Sequence, residues 1–534
     1  MRVRTLTLVF GASVLVGGAG LLTFPQVQEA LAAQGLPSAA PRSPAAPLAS
    51  VIDLRDAFVP AAAESEEPPA PADVEGGLEA EVEAAAAAGT GSDAEVEPAP
   101  APPPPRGPTL WIERKAVWVY AAASAKARKL GYLRAGATVT REPKPAGYSG
   151  CPKGFYRIAP RGYVCASHGA ALEPDERLAK VLKEPDRTEG LPYAYAMSRF
   201  PTPPLYVKLP SKREQSSVEG DLTKLRDASG TWELTAPPEG LTEGLLPSLG
   251  PTPRGASLYL ARAFAKSGFA LLTTFDWEGR PFGLTTDFLA IPLDRTRKIV
   301  PSAFHGVDVS DVGLPAVFVR SKSARFYVRD EKTGQMTDAG PVAYREGLRL
   351  SGKRERAGGG EFLETREGRW IQAGEHLVRI DEPREWPSFA EAGAKWIDVS
   401  ILKQSLVAWE GKRPVYVTLV STGADGLGDP AETHSTVRGS FLIHTKHVTV
   451  TMDNDEDGDR FDLRDVPYVQ YFHEGYAIHA AYWHDDFGRP KSHGCINLHP
   501  TDAAWLFGWT TPEVPEGWHA AMSLRTGTTI TIHP

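Results

Sequence analysis

Cys495 follows Ser492-His493-Gly494 and precedes Ile496-Asn497. A free thiol is only a few per cent thiolate near neutral pH, so a cysteine that attacks an electrophile needs a base within reach. His479 lies sixteen residues earlier, in Tyr476-Ala477-Ile478-His479-Ala480, a run that reads as a strand. A return loop of that length brings a strand histidine against a loop cysteine. Gly494 permits a tight turn ahead of the thiol and opens the neighbouring backbone N–H groups to an oxyanion. Ten of the 13 histidines fall at or after position 434, which places the chemistry in the last part of the chain. Two other bases compete. His493 is too near the thiol in sequence for its ring to reach back over Gly494, and His484 lies in a spacer loop expected to move when substrate binds. A buried cysteine among packing histidines is the bland alternative, but it does not call for a flanking Ser-His-Gly.

The elements that must position this pair are mostly strands. Residues 395–423 read as strand, turn, strand, then a strand ending at Thr422-Gly423, with Val415, Val417 and Leu419 alternating against Tyr416 and Thr418. Residues 447–452 and 528–532 are further strands. Pro500, Thr501 and Asp502 open a helix whose apolar face includes Ala503, Leu506 and Phe507, and that helix anchors the cysteine loop.

The segment Ile478-His479, a long spacer, and Ser492-His493-Gly494-Cys495-Ile496-Asn497 resembles the signature of L,D-transpeptidases with a YkuD-type catalytic domain. Leu419–Gly423 (LVSTG) and Gly439–Ile443 (GSFLI) are similar to that family's strand-and-turn and Gly-x-Phe strand. The resemblance covers residues 393–534. It implies a β-sandwich with Cys495 as nucleophile, His479 as base, and the backbone carbonyl of Ala480 orienting the imidazole. His493 and Gly494 would shape the oxyanion site, and Ser492 and Asn497 would support the loop and substrate. The implied reaction cleaves a peptidoglycan stem tetrapeptide before its terminal D-Ala through a Cys acyl-enzyme. The acyl group then passes to an amine, on a second stem peptide or on a wall-attached protein. No cofactor or metal is implied. Two departures stand out. The family often has Gly where Ala480 stands, and a carbonyl serves from either. It often has Arg where Asn497 stands, which bears on how a substrate carboxylate is held.

Other readings compete. Asp453-x-Asp455-x-Asp457-Gly458 opens like a Ca²⁺ loop, but Arg464 stands where the bidentate acid belongs, so a solvated acidic hairpin tip is expected. His479 and His484 are spaced i, i+5 and do not share a strand or helix face, and no HExxH occurs, which argues against zinc. A carboxypeptidase would use the same acyl-enzyme with water. A wall-binding adaptor with a vestigial enzyme domain would not need the intact Cys495/His479 pair.

The rest of the 534 residues divides by composition. Hydrophobic residues at 42% and charged residues at 23% exclude a wholly disordered or multi-span membrane chain. Of the net charge of −8, residues 34–108 carry −10, so the remainder is nearly neutral and does not read as a nucleic-acid binder. Arg2 and Arg4, an apolar run from Leu6 to Phe24 and Ala30-Leu31-Ala32 have the layout of a secretory signal over residues 1–33, cleaved after about residue 32. Export to the periplasm or cell envelope follows, with membrane contact only if that segment stays uncleaved. Residues 34–108 are an Ala/Pro/Glu-rich linker. In an exported chain Cys151 and Cys165 read as a disulfide worth ~3 kcal/mol, leaving Cys495 as the odd thiol. Residues 109–172 resemble a bacterial SH3-like β-barrel. Residues 173–392 read as β-rich, with Gly279–Leu293 and Gly368–Ile380 echoing the first module as further SH3-like units. The expected architecture is mainly β and multidomain: SH3-like modules followed by a YkuD-like sandwich.

Overall fold

A computed structural model describes residues 105–534, apart from 168, 226–227, 229, 248, 250–257 and 455–459. The expected signal segment, nearly all of the linker, and Asp455 and Asp457 of the acidic tip lie outside the described residues. The protein is mainly β, 42% strand and 8% helix. Among the described residues no helix is long and apolar enough to cross a membrane.

Short runs rich in β-branched and aromatic residues, such as Val117–Tyr120 and Ala316–Val319, alternate with glycine turns and build three successive seven-stranded modules. The first uses Thr109–Ile112, Val117–Tyr120, Lys129–Leu133, Thr138–Thr140, Phe155–Arg157, Tyr163–Cys165 and Ala170–Ala171. The second spans Ala194–Ser198 to Thr296–Lys298, and the third Ala316–Val319 to Leu377–Ile380. All three share one pairing scheme. Strand 1 pairs with strands 4 and 7, strand 2 with 3 and 6, and strand 5 with 4 and 6. In the first module the 4–5 contact is the single bridge Arg141–Ile158.

The second and third modules run in step. Ser267–Trp277, Arg280–Thr285 and Ala290–Pro292 recur 80 residues later as Gly347–Ala357, Gly360–Thr365 and Trp370–Gln372. Their hairpin turns, Glu278-Gly279 and Gly358-Gly359, all have positive φ, the backbone of a two-residue type I′ turn. Phe288 and Gly368 repeat the left-handed conformation at the next turn. Gly279 of the second module thus corresponds to Gly359 of the third. Residues 207–258, inserted between strands 2 and 3 of the second module, carry the helix Lys212–Glu219, which Ser211 and Glu214 close with a capping box.

The carboxy-terminal domain is a two-sheet sandwich. One sheet orders Arg413–Leu419, Ser405–Glu410, Lys395–Ser400, Thr529–His533 and Gly439–Leu442. The other contains Ala520–Met522, Thr445–Asn454, Phe461–His473, Tyr476–Ala480 and Ile496–Leu498. The strand expected to end at Thr422-Gly423 ends at Leu419, and Ser421 and Gly423 continue as isolated bridges to Asn497 and Ser492. Ile397, Val399, Leu406 and Ala408 face the core shared with Ile478, Ile496, Ala503 and Leu506. Trp396, Val407, Trp409, Val417 and Leu419 face the other way, yet are buried as well, against Phe304 and Phe318. The helix Pro500–Trp509 buries Ala503, Leu506 and Phe507 as expected, and its Asp502 accepts from Gly306 N at 2.8 Å and Tyr416 OH at 2.7 Å.

All three modules engage this sandwich. Lys129–Leu133 pairs with Ala520–Met522, placing Gly131 opposite Ala521. A Cβ on Gly131 would sit 2.0 Å from the Ala520 carbonyl oxygen, so glycine is required by this close approach. Ser267 and Gly268 pair parallel with Asp462 and Leu463. Where the first two modules meet the sandwich, the buried Asp465 carboxylate accepts from Arg134 of the first module, Thr286 of the second, and Thr449 at 2.6 Å. The guanidinium holds that carboxyl well below the usual carboxylate range. Asp465→Ala strands Arg134 without its counter-charge and is expected to cost about 3–5 kcal/mol, read from denaturant unfolding. Because the folded carboxyl is the stronger acid, this contribution is present above about pH 4 and is lost as the pH falls further.

Candidate active site

The strand Tyr476–Ala480 runs parallel to Ile496–Leu498, with Ile478 opposite Ile496 and His479 opposite Asn497. Cys495 immediately precedes that strand, so the register continues it beside Ala477. Side chains on one face of a strand recur every second residue. Cys495, Asn497, Ala477 and His479 therefore share a face, and the thiol and the imidazole are diagonal neighbours on adjacent strands. Cys495 is half-buried and free, its Sγ 3.8 Å from the Gly475 carbonyl. Cys151 and Cys165 are joined as a disulfide, as their spacing suggested.

His479 is buried, with Nδ1 3.0 Å from the Ala480 carbonyl oxygen. A carbonyl can only accept, so Nδ1 carries the proton and Nε2 presents its lone pair. Burial pushes the imidazole down to about 4 and the Cys495 thiol up to about 11. At neutral pH these two groups are therefore a protonated thiol and a neutral imidazole.

The cysteine loop is fastened at every residue that the sequence singled out. Ser492 Oγ donates to the Cys495 carbonyl and accepts from Gly494 N at 3.1 Å. Thr436 Oγ1 donates to the Gly494 carbonyl at 2.7 Å and accepts from Gly423 N at 2.8 Å. Ser492 N donates to Thr422 O at 3.0 Å, and Asn497 exchanges both backbone bonds with Ser421 at 2.9 Å. Gly494 has φ 128°, and a Cβ there would meet the Tyr476 ring at 2.8 Å, so only glycine fits ahead of the thiol. The His493 ring packs on His434 at 4.7 Å and Phe461 at 5.4 Å.

His484 is pinned rather than loose. Its Nδ1 accepts from Asp486 N at 3.1 Å, and Nε2 lies 2.9 Å from the Asn497 carboxamide. With Nδ1 accepting, Nε2 carries the proton; the carboxamide stands with its nitrogen toward Nε2 and its oxygen unpartnered, so the amide is assigned the flipped orientation in which the oxygen accepts. Three contributors escaped the sequence reading: Thr436, Tyr476 and Trp483, whose ring lies 5.7 Å from that of His479. Trp483 sits four residues beyond His479, but aromatic residues are common in this stretch and give no separate signal. Among the described residues no His/Cys/Asp/Glu group is arranged to hold a metal ion.

Residues 394–532 match the family model of the L,D-transpeptidase catalytic domain, YkuD. A Bacillus subtilis (strain 168) protein named as a candidate L,D-transpeptidase, YciB, is 28% identical over 138 residues, 21% of this chain. The chain spans 59% of the length of that relative. Among solved structures, an L,D-transpeptidase from Xylanimonas cellulosilytica is 22% identical, covering 29% of this chain and 64% of that one, with a TM-score of 0.20. L,D-transpeptidase 3 from Mycobacterium tuberculosis is 17% identical, covering 35% and 79%, with a TM-score of 0.21. Superpositions this partial add nothing to the assignment, which rests on the family model together with the relative. The carboxy-terminal domain, residues 394–532, is therefore an L,D-transpeptidase family catalytic domain.

Proposed function

We propose that the protein is a peptidoglycan L,D-transpeptidase. Cys495 attacks the carbonyl before the terminal D-Ala of a stem tetrapeptide, and His479 Nε2 takes the thiol proton. Collapse of the tetrahedral intermediate breaks the peptide bond, and the imidazolium returns its proton to the departing D-Ala amine. An acceptor amine then attacks the thioester, gives up a proton to His479, and releases the thiol. The Gly494 N–H is committed to Ser492 Oγ, so Gly494 serves the oxyanion site by shaping the turn with His493, while Ser492 and Asn497 hold the loop and the substrate. The observation that carries this reading is the His479–Ala480 hydrogen bond, which fixes the tautomer a general base needs on the strand beside the thiol.

The seven-stranded modules, by this reading SH3-like, place the enzyme on the wall, and the amino-terminal signal delivers the chain to the periplasm or cell envelope. Incubation with purified disaccharide-tetrapeptide, with products weighed by mass spectrometry, tests the proposal. Cross-linked dimers and free D-Ala are expected. Tripeptide with D-Ala and no dimer would mean a carboxypeptidase, and unchanged substrate would leave a non-catalytic adaptor.

A further inference from the structure

Asp485 belongs to the loop joining His479 to Cys495, and it is gripped from outside the catalytic domain. Arg345, in the third module, donates to the Asp485 carbonyl oxygen at 2.6 Å and to its carboxylate Oδ2. Ser302, in the segment before that module, donates to Oδ1 at 2.8 Å. Arg345 is only 6% exposed, and its guanidinium lies 4.8 Å from the centre of the Phe304 ring. Phe304 in turn stacks on Phe487 of the same loop at 5.7 Å. The Arg345 backbone has φ 66°, a left-handed conformation that costs a non-glycine residue energy and persists where the surroundings impose it.

The inner side of the loop leads to the chemistry. Next to Asp485, His484 is hydrogen-bonded to the Asn497 carboxamide, and Asn497 stands opposite His479 across the parallel pair. Ser421 Oγ donates to the Asp486 carbonyl at 3.0 Å, so the loop is also tied to the segment that straps the cysteine loop. Trp483, on the other side of His484, covers the His479 ring.

We propose that Arg345 is a positioning residue for the catalytic pair. By clamping Asp485, the third module holds the loop of residues 481–489 and, through His484 and Asn497, the face on which His479 and Cys495 lie. This rests on Cys495 and His479 being the reacting pair. It makes residues 316–380 part of the working enzyme rather than a spacer.

The test reads the site directly. In full-length protein with labelled histidines, the His479 ring is titrated by NMR, its signal assigned by its loss in His479→Gln, in wild type and in Arg345→Ala, Arg345→Lys and Asp485→Asn. The groups facing this region are the Trp483 ring and His484 beside His479, Lys491, Asp486 and Asp485 around His484, and Tyr471 and Tyr476 beside the Cys495 thiol. Releasing the clamp admits water beside His484 and His479. The His479 midpoint is then expected to move from about 4 toward the ordinary imidazole value of about 6.5 in Arg345→Ala. Tetrapeptide turnover should fall by about tenfold with KM little changed, and Arg345→Lys should recover part of both. An unchanged midpoint and turnover, with only a lowered unfolding temperature, would reduce Arg345 to a docking staple and overturn the proposal. If Arg345→Ala does not fold, Asp485→Asn, whose carboxylate is half-exposed, decides by the same shift in smaller measure. A wild type that shows the low midpoint but no turnover would overturn the substrate reading, while the variant titrations still decide the positioning role.

Discussion

Cys495→Ala is expected to eliminate D-Ala release from disaccharide-tetrapeptide and covalent acylation by a carbapenem-type β-lactam. The expectation is a fall to background rather than a partial loss, because the acyl group has nowhere else to go. The other two cysteines are locked in the Cys151–Cys165 disulfide of the first module, so Cys495 is the single free thiol. The substitution removes one sulfur from a half-buried position in a loop whose remaining bonds are made by Ser492, Thr436 and backbone groups, and the fold should survive it. Cys151→Ser supplies the control. It opens the disulfide, is expected to lower the stability of the first module by ~3 kcal/mol, and leaves turnover intact. A thiol-directed reagent labels the wild type at one site and Cys495→Ala at none. Turnover retained in Cys495→Ala would sink the nucleophile assignment outright.

The candidate site was legible because its geometry is local. A strand, a sixteen-residue return and a glycine turn are all written within residues 476–498, and the parallel register that aligns them follows from burying Ile478 and Ile496 in one core. The helix after the cysteine was equally clear from Pro500 and the spacing of Ala503, Leu506 and Phe507. Less legible were features made by contact between distant segments. Val417 and Leu419 alternate with polar neighbours as a half-exposed strand would, yet their face is covered by Phe304 and Phe318, contributed by the third module and the segment before it. Arg345 carries no local signal in the sequence. Its partner Asp485 lies 140 residues away, and only the fold brings them together. The middle of the chain was obscure for a different reason. Its modules repeat backbone turns, not residue types: Glu278-Gly279 and Phe288 do in the second module what Gly358-Gly359 and Gly368 do in the third. A repeat kept in φ angles with few shared side chains leaves little for the eye to align.

His479→Gln is expected to slow acylation by about 10²–10⁴-fold and to remove the acid limb of its pH profile. The limb has a definite place. Burial holds the imidazole near 4, so the base is free above that pH and lost to protonation below it. On the alkaline side the thiol, pushed up to about 11, stays protonated, so the rate should be level across the neutral range. Glutamine keeps much of the volume and can still donate a hydrogen bond to the Ala480 carbonyl, but it cannot take a proton, which separates the base from its scaffold. The rivals are constrained by their own bonds. His484 has Nδ1 committed to Asp486 N and Nε2–H to the Asn497 carboxamide, so it offers no free lone pair. His484→Gln should therefore slow the reaction modestly by loosening the loop, with the acid limb still present. The His493 ring is packed against His434 and Phe461, which fits a role in shaping the loop. If the limb vanished in His484→Gln and survived in His479→Gln, the base would be His484, and the Ala480 hydrogen bond would be an incidental feature of a buried imidazole.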